Sequence, residues 1–274
     1  MPTAAVNGTG LYYEVRGQGP VCLTLHGGLG FDHQHLLRSL APLEQRMQMV
    51  YFDHRCNGRS GRPPIETLTM EQLAADADGL LERLGIPSAI VLGHSYGGFV
   101  AQEMALRHPA RVRALILVDT TPGQLGTTES PDDEQGPPIP EEMETLMMTP
   151  PASDGEYASL ASKMLPFYLH SRPASELQAL IDGTIYSASA MMRGFEVLNE
   201  WSSVDRLAAI DVPVLLAWGR HDLICSLPQA KRIASRLRSA EIAVFDESGH
   251  FPWIEEPAAF FASVRDWLTR MDLA

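Results

Sequence analysis

The stretch Ala89-Ile90-Val91-Leu92-Gly93-His94-Ser95-Tyr96-Gly97-Gly98 decides the fold. Its first four residues are apolar and read as a buried strand. Gly93 to Gly97 fits the pattern G-x-S-x-G. Gly97 to Arg107 is a small-residue helix, stopped before Pro109. Strand, sharp turn and helix in that order force the serine into a strained backbone conformation. Ser95 is then expected to project above a sheet at a helix N-terminus. The Tyr96 N–H there can point at a developing oxyanion, helped by the helix dipole. The bland alternative is a tight turn that happens to hold an inert serine.

Outward from this turn, short apolar runs of buried-strand type recur at Val21–Leu25, Gln48–Phe52, Ala114–Val118, Val212–Trp218 and Glu241–Phe245. Asn7-Gly8 followed by Leu11 to Val15 reads as a hairpin. Together these make about eight strands, within the usual size of a sheet. Helical patterns lie between them: Met70 to Leu84 with Thr69 as cap, Gln229 to Leu237, and Pro257 to Arg270. Strands alternating with helices imply a mostly parallel sheet flanked by helices. From Thr120 to about Val204 no buried-strand run appears. Thr121 to Pro140 reads as a mobile loop, followed by helical patterns at Glu141–Met148, Tyr157–Tyr168 and Ser175–Glu200. The expected organisation is a core of residues 1–121 and 205–274, with a helical lid of residues 122–204 inserted after the sixth strand.

Composition excludes several functions. The chain has 274 residues and a formal net charge of −13, with no Lys/Arg run. Such a chain repels phosphate backbones and anionic lipid, so neither nucleic acid nor a membrane surface is an expected partner. Cys22, Cys56 and Cys225 form no disulfide framework and no metal-ligand spacing. The opening Met1-Pro2-Thr3-Ala4-Ala5 lacks a basic region followed by an apolar run, and a cytoplasmic location is expected. Asp32, His33 and His35 suggest a metal site at first sight. Two histidines at i, i+2 do not share a helix face, and no third ligand is evident, so no metal is expected.

Further turns carry chemistry. Val21–Leu25 runs into His26-Gly27-Gly28-Leu29-Gly30. The seventh expected strand is followed by Gly219-Arg220-His221-Asp222, the eighth by Asp246-Glu247-Ser248-Gly249-His250-Phe251-Pro252. With Gly93-His94-Ser95-Tyr96-Gly97-Gly98, these segments resemble the α/β-hydrolase family across essentially the whole chain. The resemblance implies a serine nucleophile at Ser95, its acid at Asp222 and its base at His250, in the family's chain order. It also implies an oxyanion hole at Gly28 and Tyr96, with Leu29 as the alternative to Gly28. Asp119 competes with Asp222, because some members place the acid after the sixth strand. Asp53-His54-Arg55-Cys56-Asn57-Gly58-Arg59-Ser60 resembles a structural turn of lid-bearing members, with Cys56 where glycine is usual. This departure raises the questions of backbone strain and of a thiol near the pocket.

The implied chemistry is acyl transfer without a cofactor, on a small-molecule substrate. Leu29, Met148, Trp201 and Phe251 are expected to line the pocket. The lid's methionines and aromatics suit an apolar group or simply pack the lid onto the body. Ester or lactone hydrolysis leads, with acyl-homoserine lactones as one option. A proline iminopeptidase would need lid carboxylates, for which Glu196 and Glu200 are candidates. A carbon–carbon bond hydrolase and a non-catalytic ligand receptor stay open.

Overall fold

The computed structural model describes residues 2–123 and 136–273. Most of the expected loop Thr121–Pro140 therefore lies outside the described residues. The strands are β1 (Thr3–Val6), β2 (Thr9–Arg16), β3 (Val21–Leu25), β4 (Gln48–Phe52), β5 (Ala89–His94), β6 (Val112–Val118), β7 (Val214–Gly219) and β8 (Ala240–Phe245). They form one sheet in the order β1-β2-β4-β3-β5-β6-β7-β8. The hairpin strand β2 is antiparallel to β1 and to β4, and every other pairing is parallel. Strand order reverses direction between β3 and β5, and ligands gather outside the C-terminal ends of strands at such a point.

The helices in chain order are α1 (Gln34–Ser39), α2 (Met70–Arg83), α3 (Tyr96–Arg107), α4 (Glu141–Met147), α5 (Asp154–Tyr168), α6 (Ala174–Ile181), α7 (Ala188–Glu200), α8 (Leu227–Ala234), α9 (Pro252–Glu255) and α10 (Pro257–Arg270). Thr69 does cap α2, its side chain accepting the Gln72 N–H at 3.2 Å. The central strands are apolar on both faces because helices cover both. In β6, Leu115 and Leu117 pack with Leu73, Leu80 and Val100 of α2 and α3. The alternate residues Ile116 and Val118 pack with Leu36, Phe260 and Trp267 of α1 and α10. The period-two alternation of a strand thus separates two cores that a plain hydropathy reading merges.

Helices α4–α7 enter the chain between β6 and β7. The pattern expected over Ser175–Glu200 is two helices rather than one. Gly183 has φ +82°, which ends the first, and Ser187 caps the second through the Ala190 N–H at 3.3 Å. No helix among the described residues is long and apolar enough to cross a membrane.

The turn after β4 is a fastening. Arg55 meets Asp76 of α2 with two bonds, Nε–Oδ2 at 2.6 Å and NH2–Oδ1 at 2.7 Å, both side chains being buried. Asp53 accepts the His33 N–H at 2.9 Å, the His33 ring at 2.6 Å and the Arg59 N–H at 2.7 Å. Cys56 adopts φ 64°, a left-handed conformation rare outside glycine, so the strain is present. Its thiol contacts the Pro63 carbonyl and stays outside the apolar cavity described below. Removing Arg55 strands a buried Asp76 carboxylate. Arg55→Ala is therefore expected to destabilise the fold by about 3–5 kcal/mol in urea unfolding. The folded fraction should keep its turnover.

Candidate active site

Ser95 has φ 51° and ψ −118°, outside the regions most residues occupy. The strain has a local cause. β5 stops at His94, and α3 starts at Tyr96, so a single residue turns the chain. The turn also presses α3 against β3: a Cβ on Gly97 would overlap the Leu25 carbonyl. The loop after β3 comes equally close, since a Cβ on Gly27 would lie 3.0 Å from Ser95 Cβ and 2.6 Å from His94 Nδ1. Both glycines are therefore set by close approach. Among the described residues, the N–H groups of Gly28, Leu29 and Tyr96 meet no backbone acceptor. The Tyr157 hydroxyl on α5 donates to the Leu29 carbonyl and holds this loop against the helices above it.

Parallel register brings the other candidates to the same end of the sheet. Val118 pairs with Ala217, and Gly219 pairs with Phe245. Asp222 and His250 follow β7 and β8 directly. His250 Nδ1 lies 2.8 Å from Asp222 Oδ2, with both residues buried. Asp222 Oδ1 accepts the Ile224 N–H at 2.7 Å. A carboxylate only accepts, so Nδ1 carries the proton and Nε2 is free to take another. Ser95 and His250 line one cavity. No hydrogen bond joins Ser95 Oγ to the ring among the described residues; such bonds are often long in a free enzyme and tighten with substrate.

The His250 loop is held from three sides. His94 Nε2 donates to the His250 carbonyl at 3.0 Å. The His250 N–H donates to the Tyr168 carbonyl at 2.7 Å, and the Tyr168 ring stacks on the imidazole at 5.6 Å. Glu255 accepts the Gly249 N–H at 2.5 Å on one oxygen and the His170 and Ser171 N–H groups on the other. Sequence reasoning missed Glu255 and Tyr157. A carboxylate among Phe251, Trp253 and Ile254 was a readable sign that it has buried work to do; Tyr157 left no such sign.

The cavity leaves about 120 Å3 of space for the centres of water-sized molecules. Leu29 and Phe251 line it, as do Met164, Met191, Phe195 and Ile181 from the inserted helices. Two expected pocket residues do not. Met148 is 82% exposed, because it caps α4 one position past Leu146 and Met147, which face inward. Trp201 is buried elsewhere: its ring packs on Phe99 at 5.4 Å and its Nε1 donates to Glu103 at 2.9 Å. No Asp, Glu, Lys or Arg lines the cavity among the described residues. Two of its histidines add no fixed charge, since burial pushes His35 down to about 3 and His94 well below the usual imidazole range. Glu196 and Glu200 are exposed, and Glu196 pairs with Arg193 at 2.9 Å.

Asp32, His33 and His35 go to different partners. Asp32 accepts the Gln34 and Ile185 N–H groups, His33 binds Asp53, and His35 faces the cavity. Among the described residues, one cluster has ligand-type atoms within 4.8 Å of one another: Asp222, Cys225 and His250. Its Asp and His already bind each other. Burial first, then the charge of Asp222, pushes the Cys225 thiol well above its usual range, so it stays protonated and is a poor metal ligand.

Residues 20–257 match the model of the alpha/beta hydrolase fold. The chain belongs to this family. Among its alpha/beta hydrolase relatives is a proline iminopeptidase, PfmaB of Pestalotiopsis fici, 27% identical over 97% of this chain and 98% of the relative. The enol-lactonase of Burkholderia xenovorans LB400 superposes with a TM-score of 0.80 at 26% identity, covering 98% of this chain and all of the other, 100%. A thermophilic esterase of Thermogutta terrifontis gives a TM-score of 0.76 at 26% identity, covering 98% and 97%. An iminopeptidase, a lactonase and an esterase stand side by side here, so relatedness fixes the family and leaves the substrate to the site.

Proposed function

We propose that this chain hydrolyses an uncharged carboxylic ester or lactone with an apolar acyl group, through an acyl-enzyme on Ser95. The observation that carries the reading is an apolar cavity, without an Asp, Glu, Lys or Arg lining it among the described residues, at a strained serine beside a His–Asp pair. Ser95 attacks the carbonyl carbon and His250 Nε2 takes its proton. Asp222 holds the imidazole in that tautomer and stabilises its cation. Gly28 and Tyr96 N–H groups bind the oxyanion, worth about 3–4 kcal/mol per donor. His250 then returns the proton to the leaving oxygen and activates a water that cleaves the acyl-enzyme. No step calls for a metal or an organic cofactor. Helices α4–α7, within residues 122–204, serve as the lid that closes over the acyl group.

The likeness to a lactonase and an esterase supports this chemistry, and acyl-homoserine lactones fall within the substrate class. The likeness to an iminopeptidase favours an amide instead. That substrate carries an ammonium group, and the described cavity residues offer it no carboxylate.

The test is a matched panel: one activated ester bearing a neutral medium chain, the same chain ending in carboxylate or in ammonium, a neutral lactone, and a prolyl anilide. Burying an unpaired charge in this cavity is expected to lower kcat/KM by at least about 100-fold, or ~3 kcal/mol. Preference for the prolyl anilide, or for either charged chain, overturns the proposal.

A further inference from the structure

β6 ends at Val118, and the next residue, Asp119, turns the chain with φ 43°. Its side chain is fully buried. Oδ1 accepts the Gly219 N–H at 2.9 Å, which fastens Asp119 to the end of β7. Oδ2 receives a hydrogen bond from no donor among the described residues. Gly219, which Asp119 holds through its N–H, accepts the Asp222 N–H on its carbonyl at 3.4 Å, so the two acids meet on one turn.

Two neighbouring buried carboxylates repel, and a proton on one of them relieves the pair. The surrounding donors say where it sits. Asp222 has a donor on each oxygen, Ile224 N–H on Oδ1 and His250 Nδ1–H on Oδ2. Those bonds stabilise an anion. Asp119 has a donor on Oδ1 alone. Placing the proton on its Oδ2 turns an orphaned acceptor into a donor with an acceptor in front of it. The reverse assignment would put the hydroxyl on an Asp222 oxygen that already accepts from Ile224 or His250, and would move the charge to the carboxyl with fewer donors.

We propose that Asp119 is a neutral carboxylic acid whose hydroxyl donates to Asp222 and positions that carboxylate for His250. The inference rests on the reading of Ser95, His250 and Asp222 given above. Asp119 does not line the cavity, so it is a positioning residue and touches no substrate. Burial first, then repulsion from Asp222, raises its carboxyl well above the usual range, in agreement with the geometry.

The charged surroundings are few. Asp119 faces Asp222, Glu255 and Cys225. Tyr168 and Cys225 face Asp222, and both stay protonated through burial. His94 and His35 face His250, and burial keeps both neutral. Near neutral pH the electrostatics of the group therefore reduce to Asp222, Glu255 and His250. The Asp119 hydroxyl draws charge away from the Asp222 oxygens. Removing it leaves Asp222 more negative, so His250 holds its proton more tightly and the acid limb of kcat/KM moves to higher pH.

Asparagine separates the possibilities, because its amide can still accept from Gly219 and donate to Asp222. On a neutral ester, Asp119→Asn is expected to keep kcat within about threefold. Asp119→Ala should lower kcat by about 10- to 100-fold with KM changed less than about twofold, and should shift the acid limb upward. A second readout needs no turnover. Between the ordinary aspartate range and its own raised value, folded Asp119 keeps a proton that the unfolded chain releases. Its contribution to stability therefore falls as pH rises through that window. Asp119→Asn should melt above wild type at neutral pH, and the gap should close as pH falls to about 4. An Asn variant as damaged as the Ala variant overturns the proposal, as does an Ala variant with unchanged kcat. A melting gap that ignores pH also overturns it. Turnover that survives Ser95→Ala defeats the hydrolase reading instead, while the melting curves still judge Asp119.

Discussion

Replacing Ser95 with alanine is expected to lower kcat on a neutral ester by roughly 10^5- to 10^6-fold without unfolding the protein. The size follows from losing the bond-forming atom. Without Oγ no acyl-enzyme forms, and the remaining route is direct attack by water. The Gly28 and Tyr96 donors and the apolar cavity would still assist that route, which is why turnover should fall to a residue above the uncatalysed rate. The fold should hold, because alanine and serine suffer the same penalty at φ 51° and the glycines that shape the turn are untouched. Stability within about 0.5 kcal/mol of wild type is the control that makes the rate loss interpretable. Two measurements check the role: steady-state kinetics, and mass spectrometry after exposure to a fluorophosphonate, which should label Ser95 in wild type and nothing in the variant. Wild-type turnover with Ser95→Ala would remove Ser95 from the reaction.

Much of this arrangement was legible beforehand, for identifiable reasons. The apolar runs at Val91 and Ile116 were visible because strands covered on both faces cannot carry polar residues. The elbow was visible because glycine at 97 is forced by the Leu25 carbonyl rather than chosen freely. The parts that failed depended on angles. A helix turns each successive side chain by about 100°, so a methionine-rich segment does not announce which methionine looks inward. Met147 lines the cavity while Met148 faces solvent. Trp201 lies one residue past the end of α7, where the chain leaves the helical path and carries the ring to Phe99. The two acids after β6 and β7 were both readable as candidates. Their relation was not, because it depends on the Val118–Ala217 register setting two strand ends side by side.

That relation shapes the second large effect. Asp222→Asn is expected to lower kcat by about 10^4-fold, more than simple loss of a hydrogen bond would. The Ile224 N–H at 2.7 Å decides how the new amide sits. It requires an acceptor at the Oδ1 position, which puts the amide oxygen there and the NH2 group at the Oδ2 position. The NH2 then faces His250 Nδ1, which lay 2.8 Å from the carboxylate. Donor cannot face donor, so the imidazole moves its proton to Nε2. Nε2–H has no lone pair with which to take the Ser95 proton, and the base is lost although every residue remains in place. KM should change little, since Asp222 does not line the cavity. The same experiment on Asp119 separates the two acids. If Asp119 were the partner of the base, Asp119→Asn would carry the 10^4-fold loss and Asp222→Asn would be mild. The bonding to His250 requires the opposite order. Nitrogen-15 shifts of the His250 ring would show the cause directly, with the proton on Nδ1 in wild type and on Nε2 in Asp222→Asn.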